Sequence, residues 1–225
     1  MVHDTGFADL ILKFTGRAGI EVTENQAQLL SRHIQIMHEW NRRINLTRIT
    51  GSEEIIVKHV LDSILPSKFL PSSGQALDVG TGAGFPGIPL KIVHPCLQLV
   101  LLDSNRKKVS FLTAVAAALG LKGLWALHGR WQDLSKDAAN ARQFQLVTMR
   151  ALRLEPEHIT SLGSRVLAPG GVLACWRSAA PSAIEESGDC AIDKSHYGDV
   201  ELQGDFDYLL PGIKHRRAIR LWKKR

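Results

Sequence analysis

The sequence predicts an α/β protein: a doubly wound, mostly parallel sheet preceded by a helical cap. Three observations carry this. The apolar run Ala76-Leu77-Asp78-Val79 breaks into Gly80, Gly82 and Gly84, which reads as a strand, a tight turn and a nucleotide-binding loop. A second apolar run, Leu97 to Leu102, ends on Asp103, about twenty residues after the glycines, where nucleoside-binding folds place the carboxylate for ribose hydroxyls. From about Gln75 onward, apolar runs at 75–80, 98–103, 124–128, 144–149 and 171–176 alternate with helical patterns starting at 86, 106 and 155.

The first 70 residues have a different rhythm. Thr23-Glu24-Asn25-Gln26 resembles a capping box, and Ala27, Leu30, Ile34, Met37, Trp40 and Ile44 then recur at three- and four-residue steps, the mark of an amphipathic helix. A second helix is expected from about Glu53 to Phe69, with acidic residues in its first turn and an apolar line through Ile56, Val60 and Ile64. Residues 1–70 are therefore expected as a helical cap and 71–225 as the sheet domain. Pro86 and Pro89 suit the first turn of the helix after the loop. At the far end, Arg217 to Trp222 alternates like a half-exposed strand, and Tyr208-Leu209-Leu210 is expected to pair with it across Pro211-Gly212. Residues 178–196 are the least ordered by composition, with a short helix at 183–187.

The chain has 225 residues, 44% of them hydrophobic, enough for a sizeable core. Its net charge of +6 favours an acidic partner, nucleic acid first. No apolar run approaches the roughly 20 residues that span a bilayer, and the N-terminus lacks the pattern of a signal peptide, so a cytoplasmic protein without membrane contact is expected. Cys96, Cys175 and Cys190 are odd in number, widely spaced and free of C-x-x-C, which signals neither a disulfide framework nor a metal site. Cys96 and Cys175 are expected at or near strands as small apolar residues.

Glycine loops serve several cofactors. Gly82-Ala83-Gly84-Phe85-Pro86-Gly87 also satisfies the nicotinamide pattern G-x-G-x-x-G, so an NAD-dependent oxidoreductase stands beside an S-adenosylmethionine enzyme. Asp78 favours the latter, because it precedes the glycines where such loops often carry an acidic residue. It either braces the loop or faces the cofactor's cationic amino-acid end.

The segment from Asp78 to Leu90, DVGTGAGFPGIPL, resembles the cofactor loop of the RsmG (GidB) family, guanine-N7 methyltransferases of small-subunit ribosomal RNA. Asn45-Leu46-Thr47, His59-Val60-Leu61-Asp62-Ser63, Leu102-Asp103-Ser104 with Lys107, Lys108, Phe111 and Leu112, and Arg150-Ala151 resemble further signatures of the family in the same order. The resemblance implies a Rossmann-like class I S-adenosylmethionine-dependent methyltransferase with a seven-stranded sheet, which the C-terminal hairpin suits. It implies S-adenosylmethionine as cofactor and a guanine in a loop of 16S rRNA, in the 30S subunit, as substrate; a monomer is expected. By resemblance, Gly80 and Phe85 line the cofactor, Asp103 and Ser104 border its ribose, Trp131 and Gln132 bracket the adenine, and Arg150 completes the set. Asp78, Gly82 and Gly84 belong to the same loop. Two departures stand out: Gln132 replaces a residue that is often acidic, and Trp176-Arg177-Ser178 stands where the family often has lysine and glycine.

A methyl on a sulfonium needs only an acceptor lone pair in line with the C–S bond, and guanine N7 supplies one without losing a proton. No general base is required, and near-attack geometry carries most of the catalysis. N7 lies on the major-groove edge, which is too deep and narrow in A-form RNA for side chains, so the target sits in a loop or is flipped out. Arg150 is expected at the C-terminal end of a strand, where open α/β sheets bind ligands. It is a candidate catalytic residue with His59 and Asn45; His59 and Asp62 are three positions apart on one helical face. Three basic clusters are candidates for RNA contact: Arg42, Arg43 and Arg48; Arg106, Lys107 and Lys108; and Lys214 to Arg225. The non-enzyme alternative is a cofactor-binding ribosome-assembly factor without turnover.

Overall fold

The computed structural model describes residues 5–134, 143–151, 156–178, 196–197 and 199–225. The helix expected at 183–187 and Cys190 lie outside the described residues.

Two helices open the chain, α1 (Thr5–Arg17) and α2 (Glu24–Ile44). Thr23 closes the expected capping box on α2, its hydroxyl accepting from the Gln26 amide while the Gln26 side chain accepts from the Thr23 amide. The apolar stripe of α2 is buried at Ala27, Leu30, Ile34 and Met37. Helix α1, which the sequence reading does not single out, packs on α2 through Phe7, Ile11 and Phe14.

The helix expected over 53–69 is present as one continuous helical segment, 52–69, that changes its winding along its length: α3 (Ser52–Ile55), a π-helical turn (Ile56–Leu61), α4 (Asp62–Ile64) and a 3-10 turn (Leu65–Phe69) with proline in its first turn. Pro66 has no N–H to continue an α-helical ladder, which accounts for the tightening at that end. The wide turn at 56–61 holds His59, and Asp62 follows it directly, so both point into the protein.

Eight strands form one sheet in the order β3-β2-β1-β4-β5-β8-β7-β6. They are β1 (Gly74–Val79), β2 (Leu97–Asp103), β3 (Leu124–His128), β4 (Phe144–Arg150), β5 (Leu167–Ser178), β6 (His196–Tyr197), β7 (Val200–Tyr208) and β8 (Arg217–Lys224). Seven of these make the expected sheet, and β6 adds a two-residue ladder at the outer edge of β7. Strands β1 to β5 are parallel. β8 runs antiparallel between β5 and β7, so the hairpin extends further back along the chain than Tyr208 to Leu210. Helices α5 (Gly87–Val93), α6 (Arg106–Leu119), α7 (Trp131–Leu134) and α8 (Pro156–Val166) complete the described elements. α1, α2, α5 and α6 share one apolar core with one face of the sheet, and α8 packs in a second core on the other. Cys175 lies within β5; Cys96 is exposed just ahead of β2.

Because the chain leaves β1 towards β2 and β3 and returns to β4 on the opposite side, a crevice opens at the C-terminal ends of β1 and β4. The antiparallel β8 brings its first residue, Arg217, to the same edge of the sheet, paired with Ser178 at the end of β5. There the helical segment is tied to the sheet by Asp62, which is 2% exposed. Its Oδ1 accepts from Tyr208 Oη (2.7 Å) and Arg217 Nε (3.0 Å), and its Oδ2 from Arg217 Nη2 (3.0 Å) and Arg150 Nη1 (3.3 Å). Its backbone carbonyl accepts from Trp176 Nε1 at 2.6 Å. One residue thus contacts β4, β5, β7 and β8.

Removing one partner from a buried ionic cluster leaves the others uncompensated, at about 3–5 kcal/mol. Asp62→Ala is expected to lose that much stability in urea unfolding, far more than Glu54→Ala, which breaks an exposed pair with Lys58. Equal losses would show that Asp62 does not hold the cap to the sheet.

Candidate active site

At the crevice, the turn after β1 has positive φ at Gly80 (67°), Gly82 (61°) and Gly84 (87°). The Gly80 and Thr81 amides donate to the Leu102 carbonyl, and the Gly82 amide donates to Asp103 Oδ2 at 3.0 Å, so the loop is clamped to the end of β2. A Cβ at Gly82 would meet nothing nearer than the Gly80 carbonyl at 3.9 Å, and would stand in open space over the loop. At Gly84 it would strike Ile88 Cδ1 at 2.4 Å. Gly84 therefore serves close packing beneath the loop and does not line the crevice.

Asp78 takes the bracing role of its two alternatives. It is fully buried, with Oδ2 accepting from the Gly87 amide (3.0 Å) and Oδ1 from the hydroxyl of Thr148 (2.8 Å), its register partner on β4. It shapes the cofactor loop from below and faces neither chamber described next. Burial pushes its carboxyl up to about 6, against the pull of its hydrogen bonds.

Three connected chambers follow. The first, about 320 Å3, lies between Gly80, Asp103 and Ser104 on one side and Trp131 and Gln132 on the other. The second, about 390 Å3, shares Gly80, Asp103 and Ser104 with the first and continues over Gly82 and Phe85 to His59, Arg150 and Ala151. The third, about 930 Å3, begins at those same residues, His59, Arg150 and Ala151, and carries Lys58, Arg177, Arg216 and Arg217 on its walls. The structure thus brings together Gly80, Gly82, Phe85, Asp103, Ser104, Trp131, Gln132, His59 and Arg150 around one continuous space.

Asn45 is the exception among the catalytic candidates. It caps α2 in the left-handed conformation (φ 49°), which asparagine tolerates, and its side chain is exposed and lines none of these chambers. The neighbouring Thr47 does line the second.

The wall between the second and third chambers is a stack. Phe85 lies between His33 (centroids 4.8 Å apart) and His59 (4.7 Å, 18° between planes), and Arg150 Cζ sits 5.6 Å from its ring centre. Arg150 Nη2 donates to His59 Nδ1 at 2.7 Å. A guanidinium has no lone pair to offer, so Nδ1 must be the acceptor and the ring proton must sit on Nε2, which donates to Thr47 Oγ1 at 3.1 Å. Burial and the adjacent Arg150 charge hold His59 well below its ordinary value, at about 3. His33 is fully buried, donates from Nε2 to the Ala83 carbonyl at 2.8 Å, and is lowered by burial to about 4. Both imidazoles are neutral at physiological pH. Ala151, immediately after Arg150, has φ 59°, a strained value for a residue with a Cβ.

Sequence reasoning missed His33, Thr47 as the partner of His59, and the convergence of Tyr208 and Arg217 on Asp62. His33 left a signal, a lone imidazole on the apolar face of α2 between Leu30 and Met37. The pairing of Arg217 with Asp62, 155 residues apart, left none.

These features define the class. The sheet order and crevice are those of class I S-adenosylmethionine-dependent methyltransferases, and the fold is shared with the solved structure of P. horikoshii TYW2 in complex with MeSAdo (TM-score 0.53, 13% identity, covering 74% of this chain and 62% of that one). It is shared too with a putative methyltransferase, yhhF, from Escherichia coli (TM-score 0.51, 15% identity, covering 72% and 85%). The family model of GidB, rRNA small subunit methyltransferase G, matches residues 26–196. The chain is 44% identical to ribosomal RNA small subunit methyltransferase G 1 of Syntrophobacter fumaroxidans over 99% of both chains. It belongs to the GidB family of small-subunit rRNA methyltransferases. No described helix is long and apolar enough to cross a membrane.

Below pH 6.5 the unfolded chain takes up protons that folded His33 and His59 refuse, while folded Asp78 takes up one that the unfolded carboxyl refuses until about pH 3.8. His33 and His59 oppose Asp78, and His38 and His94, also lowered by burial, act with the two histidines, so stability is expected to fall as pH drops from about 6 to 4, by at least roughly 1.4 kcal/mol per pH unit. Asp78→Asn removes the opposing group and should steepen that fall in thermal melts; a slope unchanged by the substitution would contradict this balance. At Thr47, Val removes the acceptor of the His59 proton. Thr47→Val is expected to lower turnover at least about tenfold, with Thr47→Ser restoring it; loss of activity in both variants would show that the hydroxyl is not what matters.

Proposed function

We propose that this enzyme transfers the methyl group of S-adenosylmethionine to N7 of a guanine in 16S rRNA within the small ribosomal subunit. The observation that carries the reading is the shared wall of His59, Arg150 and Ala151, with a nucleoside-sized chamber on one side and a larger, basic chamber on the other.

The residues present fit the cofactor. Glycine at 82 leaves open the space a side chain would fill, and Asp103 and Ser104 border both cofactor-side chambers. Asp103 accepts from the Gly82 and Asn105 amides and retains lone-pair directions for further donors, as ribose hydroxyls require. Trp131 supplies an apolar wall, and Gln132, which stands where the family often has an acid, keeps both donor and acceptor capacity for a base edge. When bound, the cofactor supplies an electrophilic methyl on a sulfonium.

The protein's own contribution is positional. Arg150 is committed to His59, Asp62 and the Lys58 carbonyl, so it acts as a fixed charge and a wall. His59 is neutral, its Nδ1 lone pair is engaged, and it cannot serve as a proton acceptor without breaking that bond. Neither residue is placed as a general base, and N7 of guanine asks for none, since it attacks with a lone pair and loses no proton. What the site would contribute is alignment of the base with the methyl. Arg177 on the wall of the third chamber suits a phosphate flanking an unstacked base, whereas Arg216 and Arg217 on the same wall are held by Asp207 and Asp62.

The family name of the relatives supports ribosomal RNA as substrate. The test is transfer of labelled methyl from S-adenosylmethionine to 30S subunits from a strain lacking this protein, with nuclease mapping and mass spectrometry. A single 7-methylguanosine in 16S rRNA is expected. No incorporation by protein that binds the cofactor would favour an assembly factor without turnover.

A further inference from the structure

Some basic residues are matched by acids and others are not. On the C-terminal hairpin four cations are matched by acids of β7 and its approach, Arg216 with Asp207 (3.6 Å), Arg220 with Asp205 (2.6 Å), Lys224 with Asp199 (3.4 Å) and Arg225 with Glu201 (3.5 Å), while Lys214 and Lys223 are exposed without an ion pair among the described residues. Arg42, Arg43 and Arg48, at the end of α2 and in the loop beyond it, are exposed and have no ion pair among the described residues.

Arg42 and Arg43 border a track that leads out of the basic chamber, and Arg48 stands next to Ile49 in the chain at its first step. Ile49 lines that chamber and also a hollow of about 200 Å3 with Asn41, Arg42 and Thr50. Arg42 in turn lines a further hollow of about 280 Å3 with Trp40, Arg43 and one carboxylate, Glu39. The track is held in register with the reacting centre. Asn41 clamps Thr47 through both its amide groups (2.9 and 3.0 Å), and Thr47 Oγ1 accepts from the Ile49 amide at 3.1 Å and from His59. The loop that positions His59 therefore also builds the first step of the track.

We infer that the RNA strand leaving the acceptor chamber runs along this track, with successive phosphates on Arg42, Arg43 and Arg48, and that the matched cations of the hairpin contribute little to RNA affinity. The inference rests on the rRNA reading above. An unmatched guanidinium releases condensed counterions when it meets a phosphate, whereas a matched one must first give up its carboxylate, which cancels much of the gain.

The test compares binding of small ribosomal subunits from cells lacking this protein, across about 50–200 mM salt, for three variants. Arg42→Gln/Arg43→Gln/Arg48→Gln is expected to weaken binding by at least about tenfold and to flatten the log–log salt slope by about 2, as loss of three phosphate contacts to a single strand would. S-adenosylmethionine affinity should be unchanged. The same three positions changed to lysine keep the charge and should bind within about threefold of the parent. Arg220→Gln/Arg225→Gln should bind like the parent. Parental affinity and slope in the glutamine triple, or loss of its cofactor affinity as well, would overturn the track. Failure of the unaltered protein to bind subunits at all would instead overturn the rRNA reading on which it stands.

Discussion

A carboxylate buried at the junction of cap and sheet organises this protein. Asp62 sits at 2% exposure and is stable there because two guanidiniums and a phenol hydroxyl surround it. The cluster could form only if β4, β7 and β8 present Arg150, Tyr208 and Arg217 at one edge of the sheet, and only if the helical segment carries Asp62 down to that edge. The π-helical turn and the antiparallel insertion of β8 meet those two conditions. Arg150 is then fixed on one side by Asp62, which leaves its other nitrogen aimed at His59.

From that point the site is assembled by stacking and by a forced tautomer. Arg150 can only donate, so His59 must accept on Nδ1 and donate from Nε2, and Thr47 receives the proton. Phe85 fills the space between His59 and His33, and His33 holds the Ala83 carbonyl of the cofactor loop. Cap, loop and strand end are locked by neutral aromatic contacts and one shared cation. The proposed acceptor, N7 of guanine, needs no deprotonation, and for it rigidity and alignment are the means of catalysis.

Charge is partitioned between structure and binding. The net +6 suggests a basic surface, and three clusters look equivalent in the chain. In the fold, four of the hairpin cations pair with acids on or just ahead of the neighbouring strand, where the register aligns Arg220 with Asp205. The arginines after α2 have no strand beside them and stay unmatched among the described residues. Their sequence spacing is no guide to this difference; the antiparallel register of β7 and β8 is.

By itself, the sequence determined the alternation of strands and helices, the glycine loop, the carboxylate closing β2 and the capping box of α2, because each depends on neighbours within one turn or one strand. It also contained the signatures of the family, in order. It left Asp78 open between two roles, and burial beneath the loop decided for bracing. It proposed Asn45 for the site, whereas the left-handed end of α2 turns that side chain to solvent and puts Thr47 in its place. It read the helix at 53–69, but not the π-helical turn and the 3-10 end that change its winding. Only the tertiary structure decided that Asp62 meets Arg217 and Tyr208, that His33 braces the loop, and that four of the hairpin cations are matched. The contacts of Asp62 and His33 join residues 50 to 155 positions apart, and local periodicity carries no information about pairings that exist only once the sheet has set its register.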